Sequence, residues 1–168
     1  MLKNKHGSDE NGDSFFPGSS PADPFLNILL VDDSESDIEV ARLVFESAKI
    51  KNRFFAVKDA AQVSAFLEGR SRFGDYAKPH LILLDIQMPT MDGFAVLKML
   101  KAHPVYQAIP VIMVTSSRHE RDIMESYRCG AAAYFQKPLN YNDFVQLIDC
   151  FNAYWRMATL PMAPSAPK

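Results

Sequence analysis

Acidic residues directly follow two of the most apolar stretches of this sequence. Asp32 and Asp33 come after the run Asn27–Val31, and Asp85 comes after the run Leu81–Leu84. Apolar runs of this length are typical of strands that are buried on both faces of a parallel sheet. Reactive side chains collect just beyond the carboxyl ends of such strands. Each acid alone could also cap the helix that follows it, so both interpretations stay open at this point.

A hydroxyl and an ammonium group follow two further apolar stretches. Thr115 comes after Val111–Val114, and Lys137 comes after Ala132–Gln136. Because the carboxyl ends of parallel strands meet at one edge of a sheet, we expect these two side chains to lie beside the three carboxylates. Each residue also has an ordinary interpretation, as a strand-end threonine or a surface lysine. The occurrence of carboxylates, a hydroxyl and an ammonium at the ends of four strands favours a shared site.

The expected cluster of three carboxylates would raise its own pKa values unless a cation fills it. Two carboxylates about 4 Å apart repel by roughly 4 kcal/mol at an effective dielectric constant near 20. Oxygen ligands without cysteine or histidine suit Mg²⁺ better than Zn²⁺. A carboxylate beside Mg²⁺ and a fixed lysine is suited to attack a phosphoryl group, because both cations neutralise the phosphoryl oxygens. The residues therefore predict phosphoryl chemistry at this cluster, with Thr115 able to hydrogen-bond a phosphoryl oxygen.

Five strands and five helices are predicted to position these groups. The strands are Asn27–Val31, Arg53–Val57, Leu81–Leu84, Val111–Val114 and Ala132–Gln136. The helices begin near Ser34 or Ser36, after Asp59, near Phe94, after Ser117 and near Asn140. The alternation of strand and helix predicts an α/β domain with a doubly wound, five-stranded parallel sheet. Its short connections favour the strand order 2-1-3-4-5.

Signals for the ends of helices are also present. Ser117 and Glu120, three residues apart, resemble a capping box, and Gly130 is placed to end the same helix. The preceding helix is expected to stop near His103, before Pro104. The last helix has an apolar stripe, which consists of Phe144, Leu147, Ile148, Phe151 and Trp155.

Composition limits the class of protein. The 168 residues carry a formal charge of −2 with no long block of basic residues, so nothing indicates binding to nucleic acid or to an anionic membrane surface. No stretch approaches the roughly 20 apolar residues of a membrane span, and the N-terminus has no hydrophobic run typical of a signal peptide. Two cysteines and four scattered histidines form no disulfide framework or zinc motif. We expect a cytoplasmic protein.

The composition along the chain predicts one domain with two tails. We expect the domain over residues 25–156, after a flexible N-terminal tail at 1–24 that is rich in Gly, Ser, Asp and Pro. A C-terminal tail is expected at 157–168. The 31 residues after Lys137 (138–168) are fewer than the roughly 50 that a separate output domain needs. No such domain is expected.

The strand-end motifs taken together resemble the receiver domain of two-component response regulators. These motifs are Val31-Asp32-Asp33, Leu84-Asp85-Ile86-Gln87-Met88-Pro89 with Asp92-Gly93, Val114-Thr115-Ser116 and Lys137-Pro138. The intervals from Asp85 to Thr115 (30 residues) and to Lys137 (52 residues) also fit that family. The resemblance extends from about residue 27 to residue 155. It implies the flavodoxin-like receiver fold, which has the strand order given above.

The resemblance implies roles for the acidic residues. Asp85 would be the phosphoacceptor, modified by a histidine kinase. Asp33 and Asp85 would bind Mg²⁺ directly and Asp32 would bind it through water, with the backbone carbonyl of Gln87 completing the site. The small side chain of Ser116 would leave the phosphoryl group accessible.

The resemblance also implies how phosphorylation is detected. Lys137, joined to Pro138 by a cis peptide bond, would pair with the phosphoryl group. Thr115 and Tyr134 would form a switch pair that alters the face made by the fourth helix, the fifth strand and the fifth helix. Tyr134 could instead serve only to pack at the edge of the sheet.

Two shorter segments are similar to the stand-alone receivers that work with phytochrome histidine kinases. They are Ser34–Asp37, which opens the first helix, and Phe151–Trp155 followed by Ala158–Pro161. The similarity implies a kinase of the phytochrome type and a homodimer formed through the last helix and the C-terminal segment. The aromatic residues of that helix could equally pack on their own sheet.

Two other functions are compatible with an acidic cluster on an α/β sheet. An aspartyl-phosphate phosphatase or mutase needs a second acid two residues after the nucleophile, where this chain has Gln87, so enzymatic turnover of a substrate is not expected. A degenerate receiver would act unphosphorylated as an interaction module, but the complete acidic cluster and Lys137 argue against it. The sequence therefore predicts a signalling protein whose surface is shifted by phosphorylation and detected by a partner.

Overall fold

The structure is a computed structural model, and it describes residues 27–47, 52–70, 78–89, 91–137 and 140–157. Three predictions lie outside these residues. They concern the N-terminal tail, the peptide bond between Lys137 and Pro138, and the C-terminal tail beyond Met157.

Seven strands and five α-helices are present in the described residues. The strands are β1 (Asn27–Val31), β2 (Arg53–Val57), β3 (Leu81–Leu84), β4 (Gln87–Met88), β5 (Met91–Asp92), β6 (Val111–Thr115) and β7 (Ala133–Gln136). The helices are α1 (Glu35–Ser47), α2 (Ala60–Leu67), α3 (Gly93–Ala102), α4 (Glu120–Arg128) and α5 (Tyr141–Met157), with a 3₁₀ turn at Tyr106–Ala108. None of the helices in these segments is long and apolar enough to cross a bilayer.

Five of the strands form one parallel sheet in the order β2-β1-β3-β6-β7. Counted along the chain, these strands have the order 2-1-3-4-5, so the predicted fold class is confirmed. Leu29 of β1 pairs with Phe55 of β2 on one side and with Ile82 of β3 on the other. The carboxyl ends of β1, β3, β6 and β7 consequently lie side by side along one edge of the sheet.

Both faces of the sheet are covered, which explains the continuous apolar runs of the central strands. Successive side chains of a strand point to opposite faces. Leu29 belongs to a buried cluster that includes Leu97 of α3. Its neighbour Ile28 belongs to a second cluster, which includes Phe45 of α1 and Ile148 of α5. Burial of apolar surface at roughly 25 cal/mol per Å² on both faces stabilises the sheet that carries the strand ends.

The predicted starts of α1 and α2 are confirmed by their caps. Asp59 caps α2, because its carboxylate accepts a hydrogen bond from the Gln62 amide at 2.8 Å. Ser34 precedes α1, and its Oγ accepts a hydrogen bond from the Asp37 amide at 3.3 Å. Both side chains satisfy amides that the first helical turn leaves without a partner inside the helix.

The predicted capping box at the start of α4 is wrong. The residue that precedes the helix is His119, and it makes no side-chain cap hydrogen bond. Ser117 lies three residues before Glu120, the first residue of α4, which is too early for its oxygen to cap the first turn. Its Oγ instead accepts a hydrogen bond from the His119 amide at 3.3 Å and donates to the Asp122 carboxylate. Ser117 therefore organises the loop between β6 and α4.

The predicted ends of α3 and α4 are confirmed. α3 stops at Ala102, immediately before His103 and Pro104. After α4, Gly130 has a φ of 91°, in the left-handed region that favours glycine. Its amide donates a hydrogen bond to the Tyr127 carbonyl at 3.0 Å, which satisfies a carbonyl of the last turn.

The sequence does not predict the short pair β4–β5. Gln87–Met88 and Met91–Asp92 pair antiparallel over two residues each, a length that leaves no periodic pattern in a sequence. The pair returns the chain to the segment that follows β3, where the Gly93 amide donates to the Ile86 carbonyl at 3.1 Å. α3 therefore begins directly against the end of β3.

Candidate functional site

Backbone hydrogen bonds just beyond the ends of β1 and β3 position Asp32 and Asp85. The Asp32 amide donates to the Val57 carbonyl of β2 at 3.1 Å, and the Asp85 amide donates to the Val31 carbonyl of β1 at 2.9 Å. The pairing between strands thus continues one residue past β1 and β3. Both side chains are buried, with 1% of Asp32 and 5% of Asp85 exposed.

The three predicted carboxylates meet at this edge of the sheet. Asp32, Asp33 and Asp85 each have a carboxylate oxygen within 4.8 Å of the others. Asp33 is half-buried, unlike its two neighbours. The arrangement offers oxygen ligands alone, which fit a hard divalent cation such as Mg²⁺ or Mn²⁺.

The two oxygens of each buried carboxylate have different partners. Asp32 Oδ1 accepts a hydrogen bond from the Ser34 amide at 2.9 Å, and Asp85 Oδ1 accepts one from the Gln87 amide at 3.1 Å. These bonds to the residue two positions later orient each side chain. The other oxygen, Oδ2, faces Lys137 in both residues.

The Lys137 ammonium lies among the carboxylates. Its Nζ is 2.6 Å from Asp32 Oδ2, 2.7 Å from Asp37 Oδ2 and 3.0 Å from Asp85 Oδ2. Its backbone amide donates to the Thr115 carbonyl at 2.8 Å, which extends the pairing of β7 with β6. Lys137 therefore reaches the site from a strand two positions away from β3.

Asp37 is the site residue that the sequence prediction did not include. It lies in the first turn of α1, four residues after Asp33. Because α1 begins directly after the segment that carries Asp32 and Asp33, an acid in its first turn could have been expected near the end of β1. That signal is weak, because acids in the first turn are favoured in any helix by its dipole.

Burial and ion pairing shift the pKa values of Asp32 and Lys137. Burial raises the pKa of the Asp32 carboxyl, and the hydrogen bonds from Lys137 and the Ser34 amide only partly oppose this. Burial lowers the pKa of Lys137, but its hydrogen bonds to Asp32, Asp37 and Asp85 outweigh that effect and raise it. Lys137 is therefore charged at neutral pH.

One ammonium does not balance the acidic groups around it. Within the described part of the chain, Asp32, Asp37 and Asp85 contact Lys137, and Asp33 lies close to Asp32 and Asp85. The group therefore carries an excess of negative charge when all four acids are ionised. Like charges this close are unfavourable in a partly buried site. The site therefore has the charge and the ligand chemistry to take up a further cation.

The carboxylates open into a cleft of about 540 Å³. Its lining combines acidic residues with apolar side chains from α1 and α5, among them Val40 and Phe144. Ser116 Oγ donates a hydrogen bond to Gln87 Oε1 at 2.6 Å, and both residues line the cleft. This bond joins the segment after β6 to the segment after β3 beside Asp85.

The predicted switch residues Thr115 and Tyr134 are connected through Ser117. Thr115 is fully buried, and its Oγ1 accepts a hydrogen bond from the Ser117 amide at 3.3 Å. The Tyr134 hydroxyl donates to the Ser117 carbonyl at 2.9 Å. The Tyr134 ring also packs against the core cluster that contains Leu97. Tyr134 therefore packs against the core and also hydrogen-bonds the loop that follows Thr115.

The site also requires glycine at residue 93, a constraint that the motif Asp92-Gly93 does not reveal by itself. A Cβ atom at this position would lie 2.1 Å from the Asp85 carbonyl oxygen and 2.7 Å from the Ile86 Cα. Both neighbours are backbone atoms, which cannot move aside independently. Glycine therefore permits α3 to begin against the peptide that carries the Asp85 side chain.

Comparison with known families and proteins gives a consistent result. A family model described as the response regulator receiver domain matches residues 28–149. The response regulator Rcp1 from Synechocystis is 32% identical over 146 residues, which cover 86% of this chain and 99% of Rcp1.

Solved structures of response regulators are similar over most of the chain. The Mn²⁺-bound form of Rcp1 has a TM-score of 0.65, covering 80% of this chain and 97% of that one. The phosphorylated cyanobacterial phytochrome response regulator RcpA has a TM-score of 0.68 at 30% identity, covering 82% and 99%. RPA3017, from red light signalling of R. palustris, has a TM-score of 0.70 at 32% identity, covering 81% and 98%.

Proposed function

This chain belongs to the response regulator receiver domain family, and from that premise we propose that Asp85 is the phosphoacceptor of a two-component signalling pathway. The observation that carries the proposal is the position of the Asp85 carboxylate. It lies 3.0 Å from the Lys137 ammonium and within 4.8 Å of oxygens of Asp32 and Asp33. A carboxylate beside a fixed ammonium, with further acids that can hold a divalent cation, is an arrangement suited to accepting a phosphoryl group.

The proposed transfer starts from a phosphohistidine on a histidine kinase. An Asp85 carboxylate oxygen attacks the phosphorus, and the bond between phosphorus and the histidine nitrogen breaks as the new bond forms. Lys137 pairs with the phosphoryl oxygens and offsets their charge. Held by Asp32, Asp33 and Asp85, with the Gln87 carbonyl as a further ligand, Mg²⁺ would add positive charge at the same oxygens. The oxygen-only ligands and the Mn²⁺-bound relative support this choice of metal.

We further propose that Thr115 and Tyr134 report the modification. Thr115 Oγ1 hydrogen-bonds a phosphoryl oxygen when Asp85 is modified, and Tyr134 changes position with it. The Ser117 amide and carbonyl contact the two side chains and give the coupling a physical route. The face formed by α4, β7 and α5 then differs between the two states, and a partner that binds one state shifts the balance.

The partners are proposed from the relatives and from α5. Named relatives act in phytochrome or red light signalling, which supports a histidine kinase of the phytochrome type. Tyr154 and Met157 at the end of α5 are 61% and 89% exposed, which supports a homodimer formed through this helix and the segment after it. A cytoplasmic location and the absence of enzymatic turnover stay predictions, the latter supported by Gln87 in place of a second acid.

The test is phosphorylation by acetyl phosphate in Mg²⁺, measured as acid-labile phosphate and by intact mass. We expect the wild-type chain to take up phosphate and Asp85→Asn to take up none. Asp149→Asn is the matched control, since it changes an exposed acid of α5 in the same way. Stoichiometric labelling of Asp85→Asn at another residue would exclude the assignment. A wild-type chain that takes no phosphate would favour the unphosphorylated interaction module.

A further inference from the structure

The Lys137 ammonium uses all three of its N–H groups on carboxylates from three parts of the chain. Asp32 follows β1, Asp85 follows β3, and Asp37 belongs to α1. An ammonium has three donors and no acceptor, so these three bonds account for its full capacity. Any new partner of Lys137 must therefore replace one of the three.

Asp37 differs from the other two partners. Asp32 and Asp85 belong to the group of acids that could hold a metal ion, and Asp37 does not. The Asp37 side chain is also 44% exposed, whereas Asp32 and Asp85 are buried. Asp37 thus contacts Lys137 from the solvent side of the cluster.

A divalent cation bound to Asp32 and Asp85 would act against Lys137 in two ways. It would compete for the carboxylate oxygens that now accept hydrogen bonds from Nζ, and its positive charge would repel the ammonium. Asp37 is not a predicted ligand, so its carboxylate stays available to Lys137 when the cation binds. The remaining Lys137–Asp37 pair then decides whether the ammonium stays near Asp85.

We propose that Asp37 is a positioning residue, which keeps the Lys137 ammonium beside Asp85 when Asp32 and Asp85 bind a divalent cation. The consequence of this inference for phosphoryl transfer rests on the proposed function of Asp85. Lys137 already lies 2.7 Å from Asp37 and 3.0 Å from Asp85 at the same time, so the contact with Asp37 does not draw it away from the acceptor.

The direct test follows the Lys137 ammonium by NMR with Mg²⁺ added to saturation. Ammonium protons held in hydrogen bonds exchange slowly enough to give a signal, and Lys137→Met assigns it by loss. We expect the signal to persist in the wild-type chain with Mg²⁺ and to disappear in Asp37→Asn. Glu46→Gln is the control, because it removes one acid from the same helix at an exposed position away from Lys137.

The second measurement is the initial rate of phosphorylation by acetyl phosphate at saturating Mg²⁺. We expect Asp37→Asn to be slower by about fivefold, the order of coupling found between contacting charged residues. Asp37→Glu should restore part of the rate, and Glu46→Gln should leave it unchanged. A Lys137 signal that persists in Mg²⁺-bound Asp37→Asn overturns the proposal, as does an equal loss of rate in Glu46→Gln.

The two measurements separate this inference from the proposed function. The NMR experiment needs Mg²⁺ and Lys137 but no phosphorylation. If the wild-type chain takes no phosphate while Asp37→Asn loses the signal, the role of Asp85 fails and the positioning role of Asp37 holds. If the wild-type chain is phosphorylated on Asp85 and Asp37→Asn keeps both signal and rate, the positioning role alone fails.

Discussion

At the scale of single residues, the short aspartate side chain explains how the site is held. In both Asp32 and Asp85, one carboxylate oxygen accepts a hydrogen bond from the backbone amide two residues later, and the other oxygen faces Lys137. The amide bond fixes the side chain, so the second oxygen has a defined direction. Glutamate has an additional methylene and would not keep both contacts at once. The orientation of the proposed acceptor is therefore a local property of the chain after each strand.

Another buried polar residue, His80, lies immediately before β3. It is 5% exposed, and its Nδ1 accepts a hydrogen bond from the Asn27 amide at 2.8 Å. Its own amide donates to the Asn27 carbonyl, also at 2.8 Å. Burial lowers the pKa of the imidazole to about 4. The neutral ring thus joins the start of β1 to the start of β3.

This pKa predicts a loss of stability in acid. The unfolded imidazole has a pKa near 6.5, so the contribution of His80 is complete above that pH and is lost as the pH falls toward 4. The difference corresponds to about 3 kcal/mol in the free energy of unfolding. Urea unfolding at neutral pH and near pH 4.5 measures it. His80→Asn should lose less stability than the wild-type chain over this range, because the amide oxygen accepts the same bond without titrating.

The prediction for His80 concerns the difference in stability loss between the wild-type chain and His80→Asn. Other acidic groups titrate in the same range and contribute equally to both, so they cancel in the comparison. Equal losses of stability in the wild-type chain and in His80→Asn would show that the imidazole does not carry the effect.

At the scale of secondary structure elements, the start of α3 controls the peptide of Asp85. Asp92 caps this helix, because its carboxylate accepts a hydrogen bond from the Phe94 amide at 3.0 Å. The pair β4–β5 returns the chain so that Gly93 touches the Asp85 backbone. The start of α3 and the Asp85 peptide are therefore packed backbone to backbone, which requires the absence of a side chain at residue 93.

We predict that Gly93→Ala disturbs both stability and phosphorylation. The added Cβ would lie 2.1 Å from the Asp85 carbonyl oxygen, so α3 or the Asp85 peptide must move. We expect a loss of about 1–3 kcal/mol in the free energy of unfolding, together with slower phosphorylation by acetyl phosphate. Denaturant unfolding and initial rates measure the two effects.

Gly130→Ala is the control for this prediction. Gly130 has a φ of 91°, so alanine is strained there and should cost about 1 kcal/mol. A Cβ at residue 130 would approach the flexible side chain of Lys101 and not the acidic cluster. We expect lower stability with a normal rate of phosphorylation. If both glycine variants reduced the rate equally, the effect at Gly93 would be general destabilisation and not a local one.

At the scale of the whole molecule, α5 has two different parts. Its first turns bury Phe144, Leu147 and Ile148 against the sheet, as the apolar stripe predicts. Its last turn exposes Tyr154 and Met157. An aromatic ring and a thioether at the end of a helix are more apolar surface than folding of the domain alone requires, which is the basis of the proposed dimer.

We predict that self-association depends on the end of α5. Sedimentation of Trp155→Ala and of a chain that ends at residue 150 should show weaker association than the wild-type chain, because both variants lose apolar side chains from the segment proposed to form the dimer. The shortened chain also loses Phe151, which packs partly against the core, so its unfolding midpoint must be measured alongside. Unchanged association in both variants would exclude this surface.

The sequence by itself determined the five strands of the parallel sheet, the five α-helices and the candidate carboxylates. These depend on short-range patterns, since a buried strand needs a continuous apolar run and its end is marked by the first polar residue. Given parallel strands, the ends had to meet at one edge, so Asp32, Asp33, Asp85 and Lys137 could be grouped before any distance was known. The order 2-1-3-4-5 came partly from the family resemblance, because short connections favour it without requiring it.

Only the tertiary structure decided which side chains touch. The contact of Lys137 with Asp37 joins residues 100 positions apart, and no local pattern specifies the 2.7 Å between them. Ser117 was expected to cap α4, but the folded loop directs it to Asp122 and places its peptide between Thr115 and Tyr134. Such contacts depend on how separately formed elements pack, with tolerances of a fraction of an ångström. Periodicity predicts the elements, and packing decides their contacts.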